Sequence, residues 1–414
     1  MNAAQPRPLE GLTILDLTTA LAGPYATLLL AGLGARVIKI ENPSNPDTMR
    51  NNAPYLGRDG VTLQKRDAGD LSLSLLERGR NKLGVTLNLK SEEGRAMFVD
   101  LARHADAVVE NYSAGTADRL GIGYATLAQV NPRLVYTSIS GFGADELGGQ
   151  NRAMDTIVQA LSGLMLTSGL AGDAPVRVGV PIGDLSAPLY ATIGTLAALL
   201  QAQRTGRGQH VDVSLLGALT SVVACEQSDV MERLGQSTRT GNTLTRLAPF
   251  GVFATADGHV AICSPTDKFV AALFGAMGAP ELARDARFSS RDQRVKHADE
   301  LHARVEAWTS RVPTAQVVDT LGALGVPCGA VRTPGEAVRD TRALRRGETT
   351  RLEHPVFGDT GDVVVTGLPI RMSGAFTGFD RPAPQLGEHN AAVYAELLGL
   401  SDDQLRELAA RAVI

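Results

Sequence analysis

Cysteine is scarce in this 414-residue chain: Cys225, Cys263 and Cys328 stand far apart, with no CxxC pair and no Cys/His cluster. That pattern implies neither a disulfide framework nor a structural zinc site, and no metal is expected. Aromatic content is low, at 4%, and lysine is confined to positions 39, 65, 82, 90, 268 and 296, so nearly all the basic residues are arginine. There is no excess of positive charge, the net charge being -4. This argues against a nucleic-acid or membrane partner, either of which would leave a basic footprint. The N-terminal stretch from Met1 to Leu9 has no apolar run of signal-peptide type. Leu185 to Gln203 approaches membrane-span length but contains Ser186, Pro188, Thr192, Gly194 and Thr195, and reads better as a buried helix. The expectation is a soluble cytoplasmic protein. The first strand-to-helix turn, Thr18 to Pro24, has no GxGxxG, which weakens a hydride-transfer reading. None of the seven histidines lies near the acid discussed below, and no Ser/His/Asp pattern declares itself.

What is present is a length sufficient for two or three domains with real cores. Strand-like runs at Leu12–Thr18, Ala35–Glu41, Leu83–Leu89, Ala107–Glu110 and Leu134–Ser140 alternate with helical segments at Pro24–Leu33, Ser91–Ala105, Thr116–Leu120 and Tyr124–Val130. Such alternation over about 140 residues predicts an open, mainly parallel α/β sheet. Residues 143–183 are looser and Gly-rich. A long helix is expected from Asp184 to about Arg204, then a strand at Gln209–Ser214 and one further helix over Leu215–Leu234. From Phe250 the texture changes. Phe250–Ala254 and His259–Ser264 flank Asp257-Gly258, a hairpin signal, and helices follow. Residues 1–224 and 330–414 are therefore assigned to a large α/β domain, and 235–329 to a smaller α+β domain.

The most informative residue is Asp184, a lone acid in Val180-Pro-Ile-Gly-Asp-Leu-Ser-Ala-Pro-Leu-Tyr190, with no further charge until Arg204. A carboxylate in apolar surroundings loses solvation on folding and needs a reason to be there. It reads as a helix N-cap, which Asp favours, or as a carboxylate nucleophile at a helix N-terminus; the two are compatible. Arg78-Gly-Arg-Asn-Lys82 packs three positive charges into five residues and reads as a solvated loop or as a phosphate clamp, which Lys90 and Arg119 could join. Glu110-Asn-Tyr112 ends a strand, and the carboxyl ends of strands are where open α/β sheets bind ligands.

At several points in collinear order the residues resemble the family III CoA-transferases. The segments are Leu9-Glu-Gly-Leu-Thr-Ile-Leu-Asp-Leu17, Leu21-Ala-Gly-Pro24, Gly34-Ala-Arg-Val-Ile-Lys-Ile-Glu41, Arg80-Asn-Lys82 and Val109-Glu-Asn-Tyr112. They continue through Gln159-Ala-Leu-Ser-Gly163, Gly183-Asp184, Gly206-Arg-Gly-Gln209, Gly325-Val-Pro-Cys-Gly329 and Leu386-Gly-Glu-His389. The resemblance implies a Rossmann-like large domain built from both chain ends, a small inserted domain and an interlocked homodimer. It implies coenzyme A or acyl-CoA as substrate, with no prosthetic group. Asp184 matches the family's nucleophile. Ala22, Leu87, Asn88, Leu89, Lys90, Asn111, Tyr112 and Arg119 match CoA-contacting positions, and Gly183, Gly241 and Asn242 are expected to supply oxyanion-stabilising amides.

The departures narrow the chemistry. Where formyl-CoA transferases carry Gln and Arg in their first two loops, this chain has Leu21 and Asn42, and no Gly-rich loop stands at Arg239–Arg246. These differences point away from formate and oxalate. The related racemases carry a His just before the Asp matching Asp155; here it is Met154, which cannot carry a proton. The expected reaction moves CoA from an acyl-CoA, succinyl-CoA foremost, to a short dicarboxylic or similar acid through an aspartyl anhydride. Arg50, Arg246 and the Arg78/Arg80 pair are candidate holders of a distal carboxylate. The alternatives are a 2-methylacyl-CoA racemase and a non-catalytic CoA-binding subunit of a heteromeric transferase.

Overall fold

The computed structural model of the chain describes residues 5–144 and 153–414. The chain forms two units. The larger contains Met1–Gly163, Arg177–Val223 and Val338–Ile414; the smaller contains Leu164–Val176 and Ala224–Ala337. The segment Leu164–Val176, expected with the large domain, thus folds with the small one, and the later boundaries fall at 223/224 and 337/338.

Six strands build the main sheet of the large unit: β1 (Thr13–Asp16), β2 (Arg36–Glu41), β3 (Lys82–Thr86), β4 (Ala107–Glu110), β5 (Val135–Ser140) and β6 (His210–Ser214). They pair in the order β3-β2-β1-β4-β5-β6, every pair parallel. Runs such as Arg-Val-Ile-Lys-Ile-Glu in β2 and Ala-Val-Val-Glu in β4 are buried almost throughout, as strands covered on both faces must be. The order reverses between β1 and β4. A doubly wound sheet leaves its ligand crevice there, at the carboxyl ends of the strands.

Helices cover the sheet where apolar periodicity allows. Glu92–Arg103 starts at Ser91, whose hydroxyl accepts the Gly94 N–H at 3.0 Å, and buries Met97, Phe98, Leu101 and Ala102. Each large apolar side chain sunk this way contributes roughly 1.5–3 kcal/mol. The chain's last helices join the same core: Tyr394 is buried in it and donates its hydroxyl to the Thr86 carbonyl at 2.6 Å.

Four helices matter for the site: α1 (Ala22–Gly32), α2 (Leu73–Arg78), α3 (Asp155–Leu161) and α4 (Ile182–Thr205). By length and composition alone α4 could cross a membrane, but it packs on α1, β5 and β6. It ends at Gly206, whose φ of 71° is the left-handed geometry that closes helices. Helix α3 lies within the stretch expected to be loose; residues 145–152 of that stretch are outside the described residues. The single helix expected over Leu215–Leu234 is two, Leu215–Cys225 and Ser228–Arg233, parted by Gln227 at φ 51°. Helix α2 and the short three-stranded sheet of Tyr55–Gly57, Gly60–Thr62 and Leu71–Ser72 have no counterpart in the sequence reading. Their elements are too short to show a period.

The smaller unit is a four-stranded antiparallel sheet, Thr243–Leu244, Leu247–Ala254, His259–Cys263 and Cys328–Ala330, backed by helices. Phe253, Val260, Ile262, Leu273, Val305, Val317 and Leu321 form its core.

Candidate active site

Asp184 occupies the first turn of α4 but does not cap it. The cap position is Pro181, which offers no side-chain hydrogen bond, and the orphan amides are taken by another helix. Asp155, in the first turn of α3, accepts the Gly183 N–H at 2.7 Å and the Asp184 N–H at 3.4 Å through Oδ1. Its other oxygen accepts from Gln159 Nε2 at 2.7 Å, and Gln159 Oε1 accepts the Val178 N–H at 2.9 Å. The fully buried Gln159 thereby ties the segment leading into α4 to α3. Gly183 allows the approach: a Cβ there would stand 2.9 Å from Val158 Cγ2 and 3.1 Å from Asp155 Oδ1. The N-cap reading of Asp184 is thus corrected. Asp155 does that work and leaves the Asp184 carboxylate unspent. Four residues on, Pro188 also withdraws the N–H that would otherwise bond the Asp184 carbonyl.

Electrostatics then set the state of this acid. Burial, followed by the charge of Asp155, pushes the Asp184 carboxyl up to about 6, against a smaller downward pull from Arg78. The positive end of a 24-residue helix favours the anion, so Asp184 is mostly ionised at neutral pH yet more basic than an ordinary aspartate. A partly exposed carboxylate held so fits nucleophilic work.

The residues matched to CoA contacts gather along one edge of the sheet, in the loops that follow β1, β3 and β4. Asn111 spans the crevice between β1 and β4: Oδ1 accepts the Thr19 N–H at 2.7 Å and Nδ2 donates to the Thr19 carbonyl at 2.9 Å. Beside it α1 begins with Ala22, and Gly23 lets its first turn close, since a Cβ would lie 2.3 Å from Thr18 Cβ. Asn88 Oδ1 accepts from the Lys90 N–H at 3.1 Å and from Asn42 Nδ2 at 3.2 Å, which links the ends of β3 and β2. Lys90 and Arg119 are exposed. Ala22, Leu87 and Leu89 have buried side chains, so their backbone is what they can offer a ligand. Tyr112 donates its N–H to Glu110 at 2.6 Å, and burial with the nearby Glu110 charge raises its hydroxyl above the usual range.

Other expectations are corrected. Arg78, Arg80 and Lys82 do not form a solvated loop, for all three are buried, and no joint phosphate clamp is left because Arg80 and Lys82 are paired within the fold. Lys82 Nζ contacts Asp16 Oδ2 at 2.9 Å, Thr27 Oγ1 at 2.7 Å and the Pro24 carbonyl at 3.0 Å. The Gly183 amide, expected to be open to an oxyanion, is committed to Asp155. In the smaller unit the Gly241 N–H is likewise committed, donating to the Gly169 carbonyl at 2.9 Å, while Asn242 immediately precedes the strand Thr243–Leu244. Sequence reasoning missed Asp155 and Gln159 as partners of Asp184; the signal present was an acid and an amide four residues apart at the start of a helix. Among the described residues no group of three or more His, Cys, Asp or Glu side chains could hold a metal ion.

Residues 9–390 match the family model described as CoA-transferase family III. The chain belongs to CoA-transferase family III. It is 37% identical over 401 residues to an acetyl-CoA:oxalate CoA-transferase of Acetobacter aceti, covering 95% of this chain and 97% of that one. It is 35% identical to a succinyl-CoA–D-citramalate CoA-transferase of Chloroflexus aurantiacus, covering 99% of this chain and 98% of the relative. Its fold is similar to the crystal structure of a CAIB/BAIF family protein from Brucella suis, with a TM-score of 0.81 and 31% identity. That match covers 95% of this chain and 100% of the other. An oxalate transferase thus stands among the relatives of this family III enzyme.

Proposed function

We propose that this CoA-transferase moves CoA from an acyl-CoA, succinyl-CoA foremost, to a short dicarboxylic or similar acid, with Asp184 as nucleophile. The observation that carries this reading is the Asp184 carboxylate itself: set in the first turn of α4, relieved of capping duty by Asp155, and raised to about 6. A relative named for succinyl-CoA and D-citramalate, alike over nearly the whole chain, supports the choice of donor and acid class.

The carboxylate attacks the thioester carbonyl and expels CoA thiolate, leaving a mixed anhydride of the donor acid with Asp184. The thiolate attacks the aspartyl carbonyl, releases the donor acid and forms an aspartyl-CoA thioester. The acceptor carboxylate then attacks that carbonyl, freeing the thiolate and giving a second anhydride. Attack of the thiolate on the acceptor's acyl carbon yields the new acyl-CoA and restores Asp184. No step consumes a proton or an outside reactant. The loops after β1, β3 and β4, with Asn111, Asn88 and Lys90, hold the CoA. The working unit is a homodimer; in support, Leu189, Ile193 and Leu200 leave an apolar stripe exposed along α4.

The test is incubation with succinyl-CoA and a panel of acids, read by mass spectrometry. Wild-type protein is expected to form new thioesters and, with donor alone, an Asp184-CoA adduct; Asp184→Asn forms neither. Unchanged turnover in Asp184→Asn overturns the mechanism. Light scattering that shows a monomer overturns the dimer.

A further inference from the structure

Four arginines stood as holders of a substrate's distal carboxylate, and three are spent. Arg50 grips Glu41 in a fork, Nε to Oε2 at 2.8 Å and Nη2 to Oε1 at 2.6 Å. Arg80 donates to the carbonyls of Glu77 and Thr366, and its guanidinium lies 4.3 Å from the centre of the Phe379 ring. In the smaller unit Arg246 pairs with Glu226 at 2.9 Å. Arg78 is different. It ends α2 at 9% exposure, and among the described residues its buried Nε finds no hydrogen-bond partner. Its nearest anion is loose, with Nη1 3.7 Å from Glu77 Oε2. Glu77 accepts the Thr366 N–H, and Asp47 is held by Lys39 at 2.9 Å.

Buried polar groups are almost always hydrogen-bonded, and a buried guanidinium whose Nε is unpaired among the described residues calls for a partner. The same guanidinium lies within electrostatic reach of Asp184, whose charge bears on it after those of Glu77 and Asp47. We infer that Arg78 binds the distal carboxylate of a dicarboxylic substrate and sets a preference for dicarboxylic over monocarboxylic acids. The inference rests on the transfer reading above. A distal carboxylate is the one negative group that the acyl moiety carries both as free acid and as thioester, so a single guanidinium can serve both half-reactions only through it. It also offsets the repulsion a second negative charge would meet beside Asp184 and Asp155. The planar fork matches a carboxylate in a way a lysine cannot.

The experiment compares succinyl-CoA with butyryl-CoA, equal in carbon count, as donors for wild type, Arg78→Met and Arg78→Lys. The succinyl-to-butyryl ratio of kcat/KM is expected to fall about 100-fold in Arg78→Met, and by less in Arg78→Lys. Equal losses on both donors overturn the inference and leave the transfer reading standing. If Arg78→Met does not fold, an unchanged ratio in Arg78→Lys overturns it equally. A binding readout separates the two claims: succinate should raise the Tm of the wild type more than butyrate does, and Arg78→Lys should narrow that difference. If the wild type forms no new thioester, the transfer reading falls, and the Tm difference alone decides whether Arg78 is an anion site.

Discussion

Asp16 and Asp184 are both acids drawn into the large unit, and their neighbours shift them in opposite directions. Asp16, at the end of β1, is fully buried. Burial alone would raise its carboxyl, but the charges of Lys82 and Lys39 and the hydroxyls of Thr18 and Thr27 hold it down at about 2. Lys82 touches it at 2.9 Å. Every lone pair has a donor, so the cluster locks β1, β3 and α1 together and has nothing left to react with. Asp184 meets a second carboxylate instead of a lysine, and its cationic neighbour among the described residues, Arg78, is incompletely paired. A satisfied buried charge holds structure; an unsatisfied one beside a spare guanidinium can do chemistry.

The contrast breaks most sharply at Asp184. Asp184→Asn should lower turnover by about 10⁴-fold or more while circular dichroism stays native, because the proposed anhydride forms on that carboxylate. In the wild type kcat/KM should rise with pH through about 6, as the proposed nucleophile ionises. The companion change, Lys82→Met, strips the buried Asp16 of the one cation in contact with it among the described residues and should cost about 3–5 kcal/mol in urea unfolding. The double change Asp16→Asn/Lys82→Met should recover part of that loss.

A smaller effect has the opposite sign. The Asp184 carboxyl is raised in the folded protein, so its favourable share of stability is full below about 4 and lost as pH rises through about 6. At pH 8 Asp184→Asn should therefore be the more stable protein by about 1–2 kcal/mol, a figure discounted for partial solvent access, and near pH 4 the gain should vanish. A lower Tm for the variant at pH 8 would overturn this account. The smallest change is Asp155→Asn, which keeps an oxygen for the Gly183 N–H but removes the charge beside the nucleophile. Its pH–rate midpoint should move toward acid, and an unmoved midpoint would leave burial as the whole cause.

Much of this was legible before any coordinates. Strand–helix alternation from Leu12 to Ser140 implied the parallel sheet, and Asp257-Gly258 marked the hairpin of the smaller unit, because both signals are local. Gly183-Asp184 and the loops around Asn88 and Asn111 stood out through motif resemblance. The arginines did not sort themselves: Arg50, Arg78 and Arg80 look alike in sequence, yet one forks onto Glu41, one stacks on Phe379 and one is left with a free donor.

The sequence by itself determined that the chain would build a doubly wound sheet, that it belongs among CoA-transferases, and that a solitary Asp would open its longest helix. Tertiary structure decided what that Asp could do. Asp16 and Lys82 are 66 positions apart and Asp155 and Gly183 are 28 apart. Desolvation and through-space charge depend on such distant pairings and on no local pattern. The charge state of a buried acid is therefore settled only when the chain closes around it.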